Sequence, residues 1–254
     1  ISAGIESLGL YKKDLRLEEK QAAAAAGQMK LTQSYQSSLD RHKLNVAQVL
    51  LTRGDTEDRR RYLNSRETLK TLLRLNAIPL INENDTVATE EIRFGDNDQL
   101  AAYVAVMMNA DLCILLSDVD GLYTKDPSSF KDAEHIAKVY DIDEEHFLMA
   151  GTTRSKHGTG GMQKKLLAAE ICMNSGCNVV ITNGKIKNPI TLLDQKKIST
   201  WFLTNAESQK ERKKWILSNY IYGNRVIIGK STADALQNGR SLLPRDILDV
   251  EGSF

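Results

Sequence analysis

The stretch from Ile78 to Leu100, IPLINENDTVATEEIRFGDNDQL, most narrows what this chain can fold into. Ile78, Pro79, Leu80 and Ile81 form a short apolar run bounded by polar residues, the pattern of a buried strand in a parallel sheet. Asn82, Glu83, Asn84 and Asp85 follow at once. A second polar group, Gly95, Asp96, Asn97 and Asp98, comes just before the helical text LAAYVAVMM. Open α/β sheets bind their ligands at the carboxyl ends of strands and at helix starts. Carboxylates accept from an ammonium and amide NH2 groups donate to a carboxylate, so this mixture suits a zwitterion.

The rest of the chain repeats the alternation. Leu17 to Leu39 is predicted as a helix, with the alanine run Ala22 to Ala26 letting it lie close on a sheet. Asn45 to Leu51 is strand-like. A helix is expected from an N-cap at Thr56 to about Leu75, with Tyr62, Leu69, Leu72 and Leu73 on one side. Asp111 to Leu116 is another buried strand, forming with Ile78 to Ile81 and the intervening helix a right-handed βαβ unit. Further elements are expected at Asp143–Met149, from LLAAEICM, at Asn178–Thr182, near Pro189–Leu193, at Ser199–Leu203, at Ala206–Trp215 and, in a different pattern, at Val226–Ile228 and Ser231–Asn238. The expected fold class is α/β.

Composition removes several alternatives. With 34 basic and 33 acidic residues the chain carries a net charge of +1, so nothing draws it as a whole to nucleic acid or to a membrane. No apolar run approaches the roughly 18 residues of a membrane span, and no secretory signal is recognisable in these residues. Cys113, Cys172 and Cys177 lack metal-ligand spacing and read as buried, reduced thiols, which points to the cytoplasm. His42, His135, His146 and His157 have no partner pattern and read as surface residues. The chain opens without Met, and Ile1-Ser2-Ala3-Gly4 reads as the interior of something longer, so a fragment is expected.

Two more segments can carry chemistry. Gly158-Thr159-Gly160-Gly161 precedes a helix, where glycines let backbone N–H groups approach an anion. Lys164 and Lys165 stand in that helix's first turn, against the usual dipole preference, as if an anion shared the site. Ser117-Asp118 closes the strand DLCILL. Each segment also has a plain reading: a glycine turn, a strand exit, and in Asp98 a helix cap. Asp96 and Asp98 alone make no metal site, and no protein metal site is expected.

In their joint order, LINENDTVAT, FGDNDQLAAYVA, LLSDVDGLYTKDP and GTGGMQKK resemble the glutamate 5-kinases of the amino acid kinase family. The likeness runs from residue 1 to about 205. It implies a three-layer αβα sandwich with a mainly parallel central sheet, an amino acid kinase domain over 1–205, a linker over 206–221 and the opening of a PUA domain over 222–254. It implies ATP-dependent phosphorylation of the side-chain carboxylate of L-glutamate, with Mg2+ on the nucleotide. Asn82, Asp85, Asp96 and Asn97 would hold glutamate. Ser117, Asp118 and the run Thr159, Gly160, Gly161, Met162, Gln163, Lys164 and Lys165 would hold ATP. Lys165 would reach the transferred phosphoryl group, and Asp98 would orient the lysines.

The resemblance also implies a homo-oligomer inhibited by proline, with Thr86 to Phe94 as a cover over the amino acid. The family's opening strand with its lysine, and its glycine-serine turn, are not among these residues, so the chain alone is expected to have little kinase activity. Another amino acid kinase and a non-catalytic amino-acid-binding relative stay open as alternatives. RNA binding is disfavoured by the missing basic stripe.

Overall fold

The computed structural model describes residues 2–11, 15–87, 96–151, 161–193, 198–204, 225–237 and 239–251. The chain divides into two compact units, Ile1–Ser218 and Asn219–Phe254.

The first unit begins with α1 (Ser2–Leu8) and α2 (Leu17–Leu39), then β1 (Asn45–Leu51), α3 (Arg53–Glu57), α4 (Arg59–Arg74) and β2 (Ala77–Glu83). β1 and β2 pair in parallel, Asn45 opposite Ala77 through Leu51 opposite Glu83. The alanine run does bring a close approach, but the neighbour that comes closest is α1. A Cβ at Gly4 would overlap the Ala23 carbonyl oxygen, and one at Gly27 would lie 2.9 Å from the Gly4 nitrogen.

The single helix expected from Thr56 is two helices. The cap of α4 is Asp58, whose Oδ1 accepts from the Arg61 N–H at 2.8 Å. Thr56 is instead buried within α3, its hydroxyl donating to the Arg53 carbonyl at 2.8 Å. Tyr62 and Leu69 face inward as expected, whereas Leu73 is exposed.

Next come α5 (Asn97–Met108), β3 (Leu112–Ser117), β4 (Leu122–Tyr123), β5 (His135–Ile136), β6 (Lys138–Val139), α6 (Glu144–Met149), α7 (Gly161–Asn174), β7 (Asn178–Asn183), α8 (Pro189–Leu193) and β8 (Ser199–Phe202). The sheet order is β3-β7-β8-β6: β3 and β7 run parallel, while β8 is antiparallel to β7. The expected βαβ unit needs a correction. Among the described residues β2 and β3 are not paired with each other; each belongs to a different ladder. Ile78 on β2 and Leu112 and Leu116 on β3 are accordingly exposed, where fully buried strands were expected. Between the strands lies an apolar groove of about 490 Å³, floored by Leu100, Ala101, Val104 and Ala105 of α5.

Helix α5 joins the two halves by packing. Leu100 and Met107 bury against Val49 and Ile81 of the first ladder. Ala102 and Ala105 bury with Leu115, Leu166, Ala169, Val179 and Phe202 in the main core. The last turn of α7 closes at Gly176 (φ +81°), with the Cys177 N–H donating to the Cys172 carbonyl at 2.9 Å and the Gly176 N–H to Met173 at 3.0 Å. This left-handed ending suits a residue without a Cβ. All three cysteines are free and buried.

The second unit consists of β9 (Arg225–Ile228), α9 (Lys230–Gln237) and β10 (Ile247–Glu251), with β9 and β10 antiparallel and a register shift between Ile247 and Asp249. The expected helix at 206–215 lies outside the described residues.

Because the α1–α2 contact is backbone against backbone, the added methyl of Gly4→Ala has no soft side chain to displace. Urea denaturation is expected to show a loss of about 1–3 kcal/mol, the usual cost of overpacking.

Candidate active site

The sequence places its acid-amide group at the start of α5 and its glycine-lysine group at the start of α7, and the two starts meet. Asp96 caps α5 with the backbone extended, its Oδ1 accepting from the Asp98 N–H at 2.9 Å. The capping residue is therefore Asp96, not Asp98. That releases the Asp98 side chain, whose Oδ2 accepts from Lys165 Nζ at 2.6 Å. Beside it, Lys164 Nζ lies 3.3 Å from Asp96 Oδ2.

The Lys165–Asp98 side chains are 12% and 18% exposed, so water screens this pair far less than one on an open face. The two lysines near the start of α7 are paired with carboxylates of this chain, Asp96 and Asp98. These carboxylates come from another helix.

The strand ends carry the remaining groups. Ser117 and Asp118 sit at the carboxyl end of β3, the Ser117 hydroxyl donating to Asp118 Oδ1 at 3.1 Å. That hydrogen bond, then the residue's own backbone N–H, then the charges of Lys185 and Lys165, hold the Asp118 carboxyl below the ordinary carboxylate range. Asp118 opens into a cavity of about 720 Å³, together with Tyr123, Phe130, Met149, Gly161, Met162 and Asn183.

One wall is the β4–β5 hairpin, fastened by the buried Thr200. Its hydroxyl accepts from the Leu122 N–H at 2.7 Å and donates to the Ile136 carbonyl at 2.6 Å. Gly121 is needed beneath it, since a Cβ there would lie 2.5 Å from Thr200 Oγ1. Lys125 reaches over the Phe130 ring at 5.8 Å and pairs with Asp132 at 2.6 Å.

Two histidines depart from the surface reading. His135 is half-buried, packed edge-on to Tyr123 at 5.2 Å, and burial lowers its pKa. His146 Nδ1 lies 2.6 Å from Asp143 Oδ1 at the start of α6. His42 is exposed, and His157 lies outside the described residues.

On the first ladder, Asn82 Nδ2 donates to Gln28 Oε1 of α2 at 2.9 Å, a partner the sequence reading did not foresee. Asn84 accepts from the Thr86 hydroxyl at 2.6 Å, and its N–H donates to the Leu51 carbonyl at 2.8 Å, bending the chain off β2. Asp85 is half-buried and Asn97 exposed. Asn97 lines the groove beside Ile81 and Leu112. Gln163 is buried. Thr159, Gly160 and most of the Thr86–Phe94 segment lie outside the described residues. The structure thus brings Asp96, Asp98, Lys164 and Lys165 together, and sets Ser117, Asp118, Gly161 and Met162 near one cavity. Among the described residues no hydrogen bond or ion pair ties Asn82 or Asp85 to either group.

A family model described as "Amino acid kinase family" matches residues 2–183. The chain belongs to the amino acid kinase family. Its curated relatives include proteins named glutamate 5-kinase. The one from Paramagnetospirillum magneticum is 50% identical over the whole chain, which covers 68% of that protein. The one from Rhodospirillum rubrum is 51% identical with the same coverage, and the one from a Ruegeria species is 47% identical, with 69% of it covered. Among solved structures, the "X-ray structures of isopentenyl phosphate kinase" superpose with a TM-score of 0.51 at 16% identity over 78% of each chain. At that identity the likeness concerns this kinase's fold alone.

The Ser117 hydroxyl is the first cause of the low Asp118 pKa, so Ser117→Ala is expected to raise the Asp118 titration midpoint toward the ordinary carboxylate range. Carboxyl-detected NMR titration would measure it.

Proposed function

We propose that this protein transfers the γ-phosphoryl group of ATP to the side-chain carboxylate of L-glutamate, forming L-glutamyl 5-phosphate in the first step of proline synthesis. The observation that carries this reading is the Lys165–Asp98 contact at 2.6 Å, which joins the acid-amide segment to the glycine-lysine segment. The relatives named glutamate 5-kinase support the choice of acceptor.

The chemistry asks little of a base. A glutamate side chain with an ordinary pKa of about 4.3 is already an anion at neutral pH. The obstacle is bringing that anion in line with a polyanion, so catalysis is positioning and charge compensation. One carboxylate oxygen forms the new bond to phosphorus while the bond to the β-phosphate oxygen breaks and ADP departs with that electron pair. Lys165 meets the charge on the moving phosphoryl group. Asp98 keeps the ammonium in position, and Lys164, held by Asp96, adds a second cation.

In this reading Asp85 accepts from the α-ammonium, Asn97 donates to a substrate carboxylate, and Asn82 and Asp96 complete the amino acid site. Ser117, Asp118 and residues 159–165 form the nucleotide side.

A Mg2+ ion, if carried mainly on phosphate oxygens, would need at most one or two protein carboxylates and would supply positive charge against the nucleotide's phosphates. The reading extends to a cytoplasmic homo-oligomer inhibited by proline, with residues 206–221 as a linker and 222–254 as the opening of a PUA domain.

A coupled assay of ADP release tests the proposal. Whatever turnover these residues sustain, small as expected above, should depend on L-glutamate and not on N-acetylglutamate, aspartate or a nucleoside monophosphate; the reverse preference would overturn it. Lys165→Ala is expected to lower kcat about 100- to 1000-fold, as losing one transition-state cation does. The KM values for ATP and glutamate should stay within about threefold. A raised KM at unchanged kcat would remove Lys165 from its role.

A further inference from the structure

The inward face of α2 bears polar side chains one helical turn apart: Gln28, Thr32 and Gln36. Residues spaced by four lie on one side of a helix. Gln36 Oε1 accepts from the Val46 N–H at 2.8 Å, at the start of β1. Thr32 Oγ1 lies 3.3 Å from Gln48 Oε1, midway along β1. Gln28 Oε1 accepts from Asn82 Nδ2 at 2.9 Å, at the carboxyl end of β2. The helix therefore runs against the strands, and Gln28 is the rung that reaches the ligand-binding edge.

This rung differs from the other two. Gln28 Nε2 is buried and has no hydrogen-bond partner among the described residues. Buried amide groups in native proteins are almost always paired, so an orphaned donor beside a binding edge is a place for an acceptor from outside the chain. An amide pair joined by one N–H···O bond leaves one donor and one acceptor over, whichever way the two amides are turned. Here these are Gln28 Nε2 and Asn82 Oδ1. A donor beside an acceptor matches the α-carboxylate and α-ammonium of a free amino acid. The turn bearing Gln28 is itself held firmly, because Gly27 next to it packs against the backbone of Gly4.

We propose that Gln28 is a substrate-binding residue, its Nε2 donating to the α-carboxylate of L-glutamate while its Oε1 holds the Asn82 amide with Oδ1 toward the α-ammonium. The inference rests on the reading of the β2 end as the glutamate site.

Two near-isosteric variants separate the roles. Gln28→Met removes both amide functions. Gln28→Glu keeps an acceptor for Asn82 but replaces the donor with a negative charge. Steady-state kinetics is expected to show KM for glutamate raised about 10- to 100-fold in Gln28→Met, the worth of a hydrogen bond to a charged group. The rise in Gln28→Glu should be at least as large. In both, kcat and KM for ATP should stay within about threefold, which also reports that the variants are folded. A Gln28→Glu enzyme with wild-type KM would overturn the donation, and unchanged KM in both variants would overturn the whole inference. If the unsubstituted protein fails to phosphorylate glutamate while using another acceptor, the reading of the site fails, and this inference with it.

Discussion

The site depends on one ion pair. Lys165 and Asp98 are 67 residues apart, Asp98 in the first turn of α5 and Lys165 the fifth residue of α7, close to helix starts whose exposed N–H groups favour anions. A lysine there is misplaced by itself and correct beside a carboxylate. Such a half-buried pair contributes little net stability, because removing both charges from water offsets much of their attraction. Its structural effect is geometric. It ties the start of α5 to the start of α7.

Around that convergence the chain builds two unlike walls. The wall at the end of β3 is a packed layer in which Thr200 holds a short hairpin over the sheet and Gly121 gives up its side chain to let it in. The wall at the end of β2 is lighter: two paired strands, a long helix laid across them, and a chain of polar contacts from Gln36 to Asn82.

Much of this was legible in the residues. Acids and amides after short apolar runs marked the strand ends, and two lysines at an unfavourable helix position marked a place where carboxylates come close. Local pattern could not give lateral neighbours. β2 and β3 are consecutive strands flanking one helix, yet they enter different ladders, because chain order does not fix sheet order. Asp96 and Asp98 each satisfied the composition rule for a cap, and only the extended backbone at Asp96 decided between them. The Gln28–Asn82 contact was missed although polar residues at positions 28, 32 and 36 mark one face of α2, because the alanine run in the same helix offered a sufficient packing explanation. His135 was misread because its partners Tyr123 and Thr200 are brought to it only by the folded sheet.

The groove between β2 and β3 bears on how the halves respond to each other. No main-chain hydrogen bond crosses it among the described residues. What spans the gap is the apolar packing of one helix, aided at that helix's start by charge pairs. Side-chain contacts of this kind yield to small rotations more readily than a continuous ladder, and charge pairs weaken as ionic strength rises. Helix α5 is thus the element through which a displacement of one ladder reaches the other, because its two faces are buried in both.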